Sequence, residues 1–355
     1  MAQSLDIQLL EAIRARLTLS TVVTLGAKLG LPRANTWHKF EEALNEAIKL
    51  NPGSAVTLNV ALEKLLRNTI TAGNRAITLF RVAPARAAAI AAAFGKATIP
   101  ASPYSASYPY PLPQSALKPL TDDLFLVELL HSGSFVTAIF NGRRLIEDRE
   151  ERSAQSVDPV ALNKIGWSDI DEFVLVKRRH VQTYEVVCID TATGLIELRV
   201  EDHQGVRASE SLLQLQASLN AILAGAGITP LSGAVNLFPA IRALYDDVAQ
   251  GIVVELGFTT LTGSAKHEKM RAHQKDLRSE LFHVGGKNAV NGHLSPFRVA
   301  VRWHAPPGGP EELMLPGSMR QLAKGSSATL EHALLTGTFE EAAVRRCIRR
   351  LEKHL

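Results

Sequence analysis

The residues best suited to chemistry crowd into one segment. Positions 262–304 hold Lys266, Lys269, Arg271, Lys275, Arg278, Lys287, Arg298 and Arg302 against only Glu268, Asp276 and Glu280. That local excess is larger than the net charge of +4 carried by all 355 residues. The cations are therefore concentrated, and the rest of the chain is close to neutral. Lysine and arginine at this density attract a polyanion, because each phosphate they neutralise releases condensed counterions. The run Val284-Gly-Gly-Lys-Asn-Ala289 reads as a loop that offers backbone N–H groups to an anion. The G-x-x-x-x-G-K-[ST] pattern of a P-loop is absent. The competing reading is a solvated face, since GSAKHEKMRAHQKDLR holds too little apolar side chain to be buried all round.

Within this segment, Arg278-Ser-Glu-Leu-Phe-His283 pairs a cation with a general base. Its Arg-x4-His spacing is similar to that of HEPN-type ribonucleases. The resemblance implies that His283 acts as base while Arg278 stabilises phosphate charge. HEPN domains are helical bundles, however, whereas strands are predicted around this pair. His267, His273, His283 and His293 stand six, ten and ten residues apart, and no H-E-x-x-H occurs. No metal site and no cofactor are expected. Asp190, Glu197 and Arg199 resemble a D…E-x-K nuclease set with Arg in place of Lys; alternating charge on paired strands is the plainer reading. Lys177-Arg178-Arg179-His180 reads as a basic cluster at a hairpin end and a second phosphate contact. Arg345, Arg346, Arg349, Arg350 and Lys353 lie on the last helix, where cations also suit the C-terminal dipole.

A further candidate lies near the N-terminus. LSTVVTLGAKLGLPRANTWHKFEEALNEAI reads as helix, turn and helix, the outline of a helix-turn-helix module. Arg33, Asn35, Thr36, His38 and Lys39 would then face DNA at the start of the second helix, where arginine and asparagine suit base edges. Glu41, Glu42 and Glu46 on the same helix oppose phosphate contact. The outline equally resembles death-domain-like adaptor bundles, which implies a protein partner instead.

The elements that position these residues follow from periodicity. Leu5, Leu9, Ile13 and Leu17, then Trp37, Phe40, Leu44 and Ile48, recur at helical spacing. Gly30 is expected to end the second helix, with Asn35 or Thr36 capping the third. A fourth helix is expected over about 55–71, a single strand over 76–82 and an alanine-rich helix over 84–94. Residues 100–121, PASPYSASYPYPLPQSALKPLT, carry too many prolines for helix or central strand and read as a linker. After it the period changes to two. LFLVELL, FVTAIF, FVLVKRRH, YEVVCID and LIELRVE read as five strands with short connections. Helices at 208–224 and 236–249, a strand at 251–259, a polar helix near 264–282, a strand at 297–303 and a closing helix complete the chain. Thr338 and Glu341 have capping-box spacing.

Strands and helices in blocks predict an α+β fold with a mainly antiparallel sheet. The expected organisation is a helical domain over 1–99, a linker over 100–121 and an α+β domain over 122–355. With 46% apolar and 21% charged residues the chain can bury a core and is not disordered. Two cysteines, Cys188 and Cys347, give no disulfide framework and fit a reducing, cytoplasmic setting. The opening MAQSLDIQLLEAIRAR is amphipathic and unlike a signal peptide. No stretch is apolar for long enough to span a membrane.

Together these features predict a non-enzymatic nucleic-acid-binding protein, with DNA ahead of RNA and self-association compatible. The alternatives are an adaptor that binds a protein partner through its N-terminal helices, and a nuclease using Arg278 and His283. The compact, alanine-rich style suggests a bacterial source, and an antiphage or mobile-element setting would fit.

Overall fold

The computed structural model describes residues 4–167, 169–202, 207–271, 275–305 and 309–355. It shows the α+β class: N-terminal helices and further helices packed on one large antiparallel sheet. The strands are β1 (Gly73–Arg81), β2 (Phe125–Ser132), β3 (Phe135–Ser153), β4 (Glu172–Asp190), β5 (Leu195–Glu201), β6 (Ile252–Thr260), β7 (Ala265–Lys269), β8 (Leu294–Ala305), β9 (Gly309–Leu315) and β10 (Ala333–Thr338). They lie in the order β2-β3-β4-β5-β1-β10-β9-β8-β6-β7.

Side-chain alternation sends the two faces of this sheet to different helices. On one face Ile77, Leu79, Leu256, Val301 and Leu313 pack against helices 238–246 and 341–352. The same face of β2–β4 presents Val127, Ile139 and Tyr184 to the N-terminal helices 7–16, 37–50 and 54–71. The opposite face, with Ala76, Phe80, Phe140, Val187 and Leu198, is covered by helices 84–96 and 208–225.

The boundary expected at 100–121 cuts across this sheet. β1 precedes it in sequence yet pairs with β5 on one side and β10 on the other. The Pro/Tyr-rich stretch itself carries helices 103–107 and 114–117. Tyr104 is buried, Tyr108 donates to Glu128 at 2.7 Å and Tyr110 to Asp6 at 2.8 Å. Tyrosine supplies an apolar ring and a polar tip, so it fastens such a strap where aliphatic residues would not.

Local capping follows the sequence in several places. Thr36 accepts from the Lys39 N–H at 3.2 Å and starts helix 37–50. Gly30 takes φ +77° after the turn that ends at Leu29. Gly194 closes the β4–β5 hairpin at φ +76°, and a Cβ there would meet the Val82 carbonyl oxygen at 2.0 Å.

Four expectations are corrected. FVLVKRRH and YEVVCID are one 19-residue strand, β4, because β3 pairs with it along its whole length. Lys177, Arg178 and Arg179 are therefore in mid-strand and not at a hairpin end. The polar stretch expected as a helix near 264–282 begins with β7, an edge strand whose side chains are exposed apart from the partly buried Glu268. The expected Gly/Asn-rich loop is helix 281–289, which Glu280 starts by accepting from the His283 N–H at 2.8 Å. Thr338 is not part of a capping box; it lies in β10 and donates to the Gly73 carbonyl at 2.6 Å, and helix 341–352 begins without a side-chain cap.

Candidate functional site

The basic segment 262–304 forms the far end of the sheet. β6 and β7 run as a hairpin, helix 281–289 packs beside them, and β7 is the sheet edge. His283 anchors the helix. It is 2% exposed; its Nδ1 lies 2.6 Å from Glu268 and its Nε2 2.9 Å from the Tyr245 hydroxyl. The ring also meets Phe258 and Tyr245 edge-on. Both nitrogens of the expected base are thus engaged inside the fold. Arg278 is engaged too: it bonds Asp276 in a bidentate pair and donates to the carbonyls of Asp247 at 2.8 Å and Gly251 at 2.6 Å. The two side chains act as clamps on neighbouring loops, and neither presents a free group to a scissile phosphate.

This clamping has an electrostatic consequence. All three carboxylates of the segment are taken up by the segment itself: Glu268 by His283, Asp276 by Arg278, Glu280 by the helix start. The backbone N–H of His283, followed by that of Phe282, holds the Glu280 carboxyl below its ordinary pKa. Among the cations, Lys269 and Arg298 share Glu255, and Arg302 bonds Glu312. Burial pushes the Glu255 pKa up, but hydrogen bonds from Arg298 and His267 outweigh it and hold the group ionised. Lys266, Arg271, Lys275 and Lys287 remain without a carboxylate partner among the described residues. Lys266, Arg271 and Lys275 are exposed, and Lys287 lies 4.9 Å over the Tyr245 ring.

Sequence reasoning missed an aromatic in this patch. Because His283 points inward, Leu281 and Phe282 at the start of the same helix point outward, and Phe282 is 76% exposed. An exposed phenylalanine on the helix that also carries Lys287 offers a base a flat apolar surface. The signal was present as a Phe next to a His on a short helix, but which of the two would be buried depends on Tyr245 and Glu268, both distant in sequence.

The other candidates are placed elsewhere. Arg178 bonds Glu147 and Arg179 bonds Asp148, each at 2.8 Å, and Lys177 lies 3.6 Å from Glu150. These are cross-strand pairs between β3 and β4, so the cluster is locally neutralised. Arg33, Asn35 and Lys39 are exposed on the N-terminal bundle. That bundle sits on β4 and β1, which are seven and five strands from β7. At about 4.8 Å per strand the separation is roughly 25–35 Å, so the two basic regions do not form one continuous surface. On the last helix, Arg346 and Arg350 bond the buried Glu311, and Arg345 bonds Glu341. Asp190 accepts from Ser134 and Thr193 in the hairpin turn, while Glu197 pairs with Arg199 in the core. Of the four spaced histidines, His273 lies outside the described residues. Among the described residues, no three His, Cys, Asp or Glu side chains are grouped to hold a metal, and no helix is long and apolar enough to cross a membrane. No protein-family model matches the chain, and no curated protein matches it in sequence.

Proposed function

We propose that this protein binds single-stranded nucleic acid at the β7 end of its sheet. Lys266, Arg271, Lys275 and Lys287 contact phosphates and Phe282 stacks on a base. The observation that carries the reading is that the carboxylates of the segment are taken up internally, which leaves four cations without a carboxylate partner among the described residues, in the same segment as an exposed aromatic. A short, lysine-bearing edge strand also resists edge-to-edge pairing with another sheet, but that role does not call for an exposed phenylalanine.

Four phosphate contacts give a salt slope of roughly −2.8 for a single strand, or about a 50-fold loss of affinity between 50 and 200 mM salt. Fluorescence anisotropy with a labelled oligothymidylate, repeated with an RNA oligomer and a duplex, measures this. Lys266→Gln should flatten the slope by about 0.7, and Phe282→Ala should weaken single-strand binding roughly tenfold. Both side chains are exposed, so neither change disturbs the core. Absence of binding at 50 mM salt, or affinity indifferent to both substitutions, refutes the proposal.

A second reading, an adaptor that engages a protein through the N-terminal helices, is favoured by one observation. Leu50, Val56 and Val60 are exposed on the adjacent helices 37–50 and 54–71. Val56→Glu with Val60→Glu should then abolish co-purification of a partner that survives nuclease treatment. A partner retained by that double variant would exclude this surface.

A further inference from the structure

A cavity of about 440 Å³ opens between the N-terminal helices, the 111–117 strap and strands β1, β4 and β5. That volume is in the range of small-molecule sites, and of the residues discussed above for nucleic acid only Arg179, which is paired with Asp148, lines it. One wall is apolar, with Ala12, Leu112, Leu117 and Ile146. The other holds buried charge. Arg16 forms an ion pair with Glu201, and its guanidinium lies 4.6 Å over the Tyr184 ring. Arg75 lies 3.6 Å from Glu201 and otherwise donates to backbone carbonyls.

Two polar atoms of the lining residues are buried and have no partner: Arg16 Nε and Gln182 Nε2. Gln182 is only 9% exposed. Its amide orientation is fixed, because Oε1 accepts from the Leu112 N–H at 2.7 Å. Nε2 is therefore a donor held away from that bond. Both orphans are N–H donors, and leaving them unmet costs on the order of 1–3 kcal/mol each. These two donors lack an acceptor, although the Glu201 and Asp202 carboxylates line the same cavity, beside a cation and an apolar wall.

We infer that this cavity binds a small organic anion. Its carboxylate or phosphate oxygens accept from Arg16 Nε and Gln182 Nε2, and its short apolar body lies against Ala12, Leu112, Leu117 and Ile146. The inference is independent of the nucleic-acid proposal.

Isothermal titration of the full chain with hexanoate and with hexyl phosphate tests it, with hexanol as the neutral control. At least one anion should bind saturably with Kd below about 1 mM, and hexanol at least tenfold more weakly. Gln182→Glu keeps the acceptor for Leu112 and replaces the donor with a carboxylate, so it should abolish anion binding. Arg16→Lys keeps the ion pair with Glu201 but removes Nε, and should weaken binding about tenfold, which gives a second readout if Gln182→Glu does not fold. Failure of both anions to bind, hexanol binding as tightly, or unchanged affinity in the folded variants overturns the inference and leaves a water-filled cavity.

Discussion

Replacing Arg75 should be among the most damaging single changes in this protein. The side chain is 1% exposed and spans a junction of three elements. Nε donates to the Ala72 carbonyl at 2.6 Å, Nη2 to those of Thr69 at 3.2 Å and Ile70, and Nη1 to that of Tyr184 in β4. Three of these carbonyls end or follow helix 54–71, where the backbone has no intrahelical donors left and the dipole is negative. One guanidinium thus closes the helix, ties it to β4 and faces Glu201. Arg75→Ala strands buried carbonyls and weakens the compensation of Glu201. Removing one member of a buried charged set costs about 3–5 kcal/mol. Unfolding entropy of roughly 2 cal/mol/K per residue gives about 0.75 kcal/mol/K for 355 residues. A 4 kcal/mol loss should then lower Tm by about 5 °C, if the chain melts as one unit. Arg75→Lys restores the charge but not the forked donors, so it should fall between. Differential scanning calorimetry of the three proteins measures the series. A shift below about 1 °C for Arg75→Ala would refute the reasoning, since it would mean that water replaces the guanidinium without loss.

Two further predictions concern single residues. Burial, followed by repulsion from Glu201, pushes the Glu185 pKa up to about 7. An acid raised in the folded state binds its proton more tightly there, so its ionisation removes stability as pH rises from about 4.5 to 7. Glu185→Gln should gain on the wild type over that window, by up to about 3 kcal/mol, in urea titrations at pH 5 and pH 8; a constant difference would exclude the shifted group. Gly194→Ala places a methyl on the Val82 carbonyl at a positive φ, so a loss of roughly 2 kcal/mol or more is expected in the same titrations. A neutral outcome there would show that the hairpin readily shifts away from β1.

Much of the candidate site was legible as composition and little of it as geometry. The concentration of cations at 262–304 is a property of the sequence. Which of them stay unpaired is not. Arg278 is consumed by Asp276 two residues away, yet its other partners, the carbonyls of Asp247 and Gly251, come from a different loop. Lys177, Arg178 and Arg179 look like a free cluster until β3 sets Glu150, Glu147 and Asp148 beside them. The cavity donors Arg16 and Gln182 come from distant parts of the sequence and meet only in the fold. Their only trace in the sequence is charge at inward positions, such as Glu197, Arg199 and Glu201 alternating with Ile196, Leu198 and Val200 in β5.

By itself the sequence determined what depends on neighbours a few residues apart. Helix periodicity, the cap at Asn35 or Thr36, the Gly30 stop and the α+β alternation of segments all follow from short-range sterics and hydrogen bonding. Tertiary structure decided what depends on long-range pairing. It inserted β1 between β5 and β10, made an edge strand and a short helix of the polar segment after β6, and turned His283 inward and Phe282 outward. The physical reason is that a strand's partners and a charge's neighbours lie far apart along the chain. Local propensity carries no information about which distant group will satisfy a buried donor or neutralise a lysine.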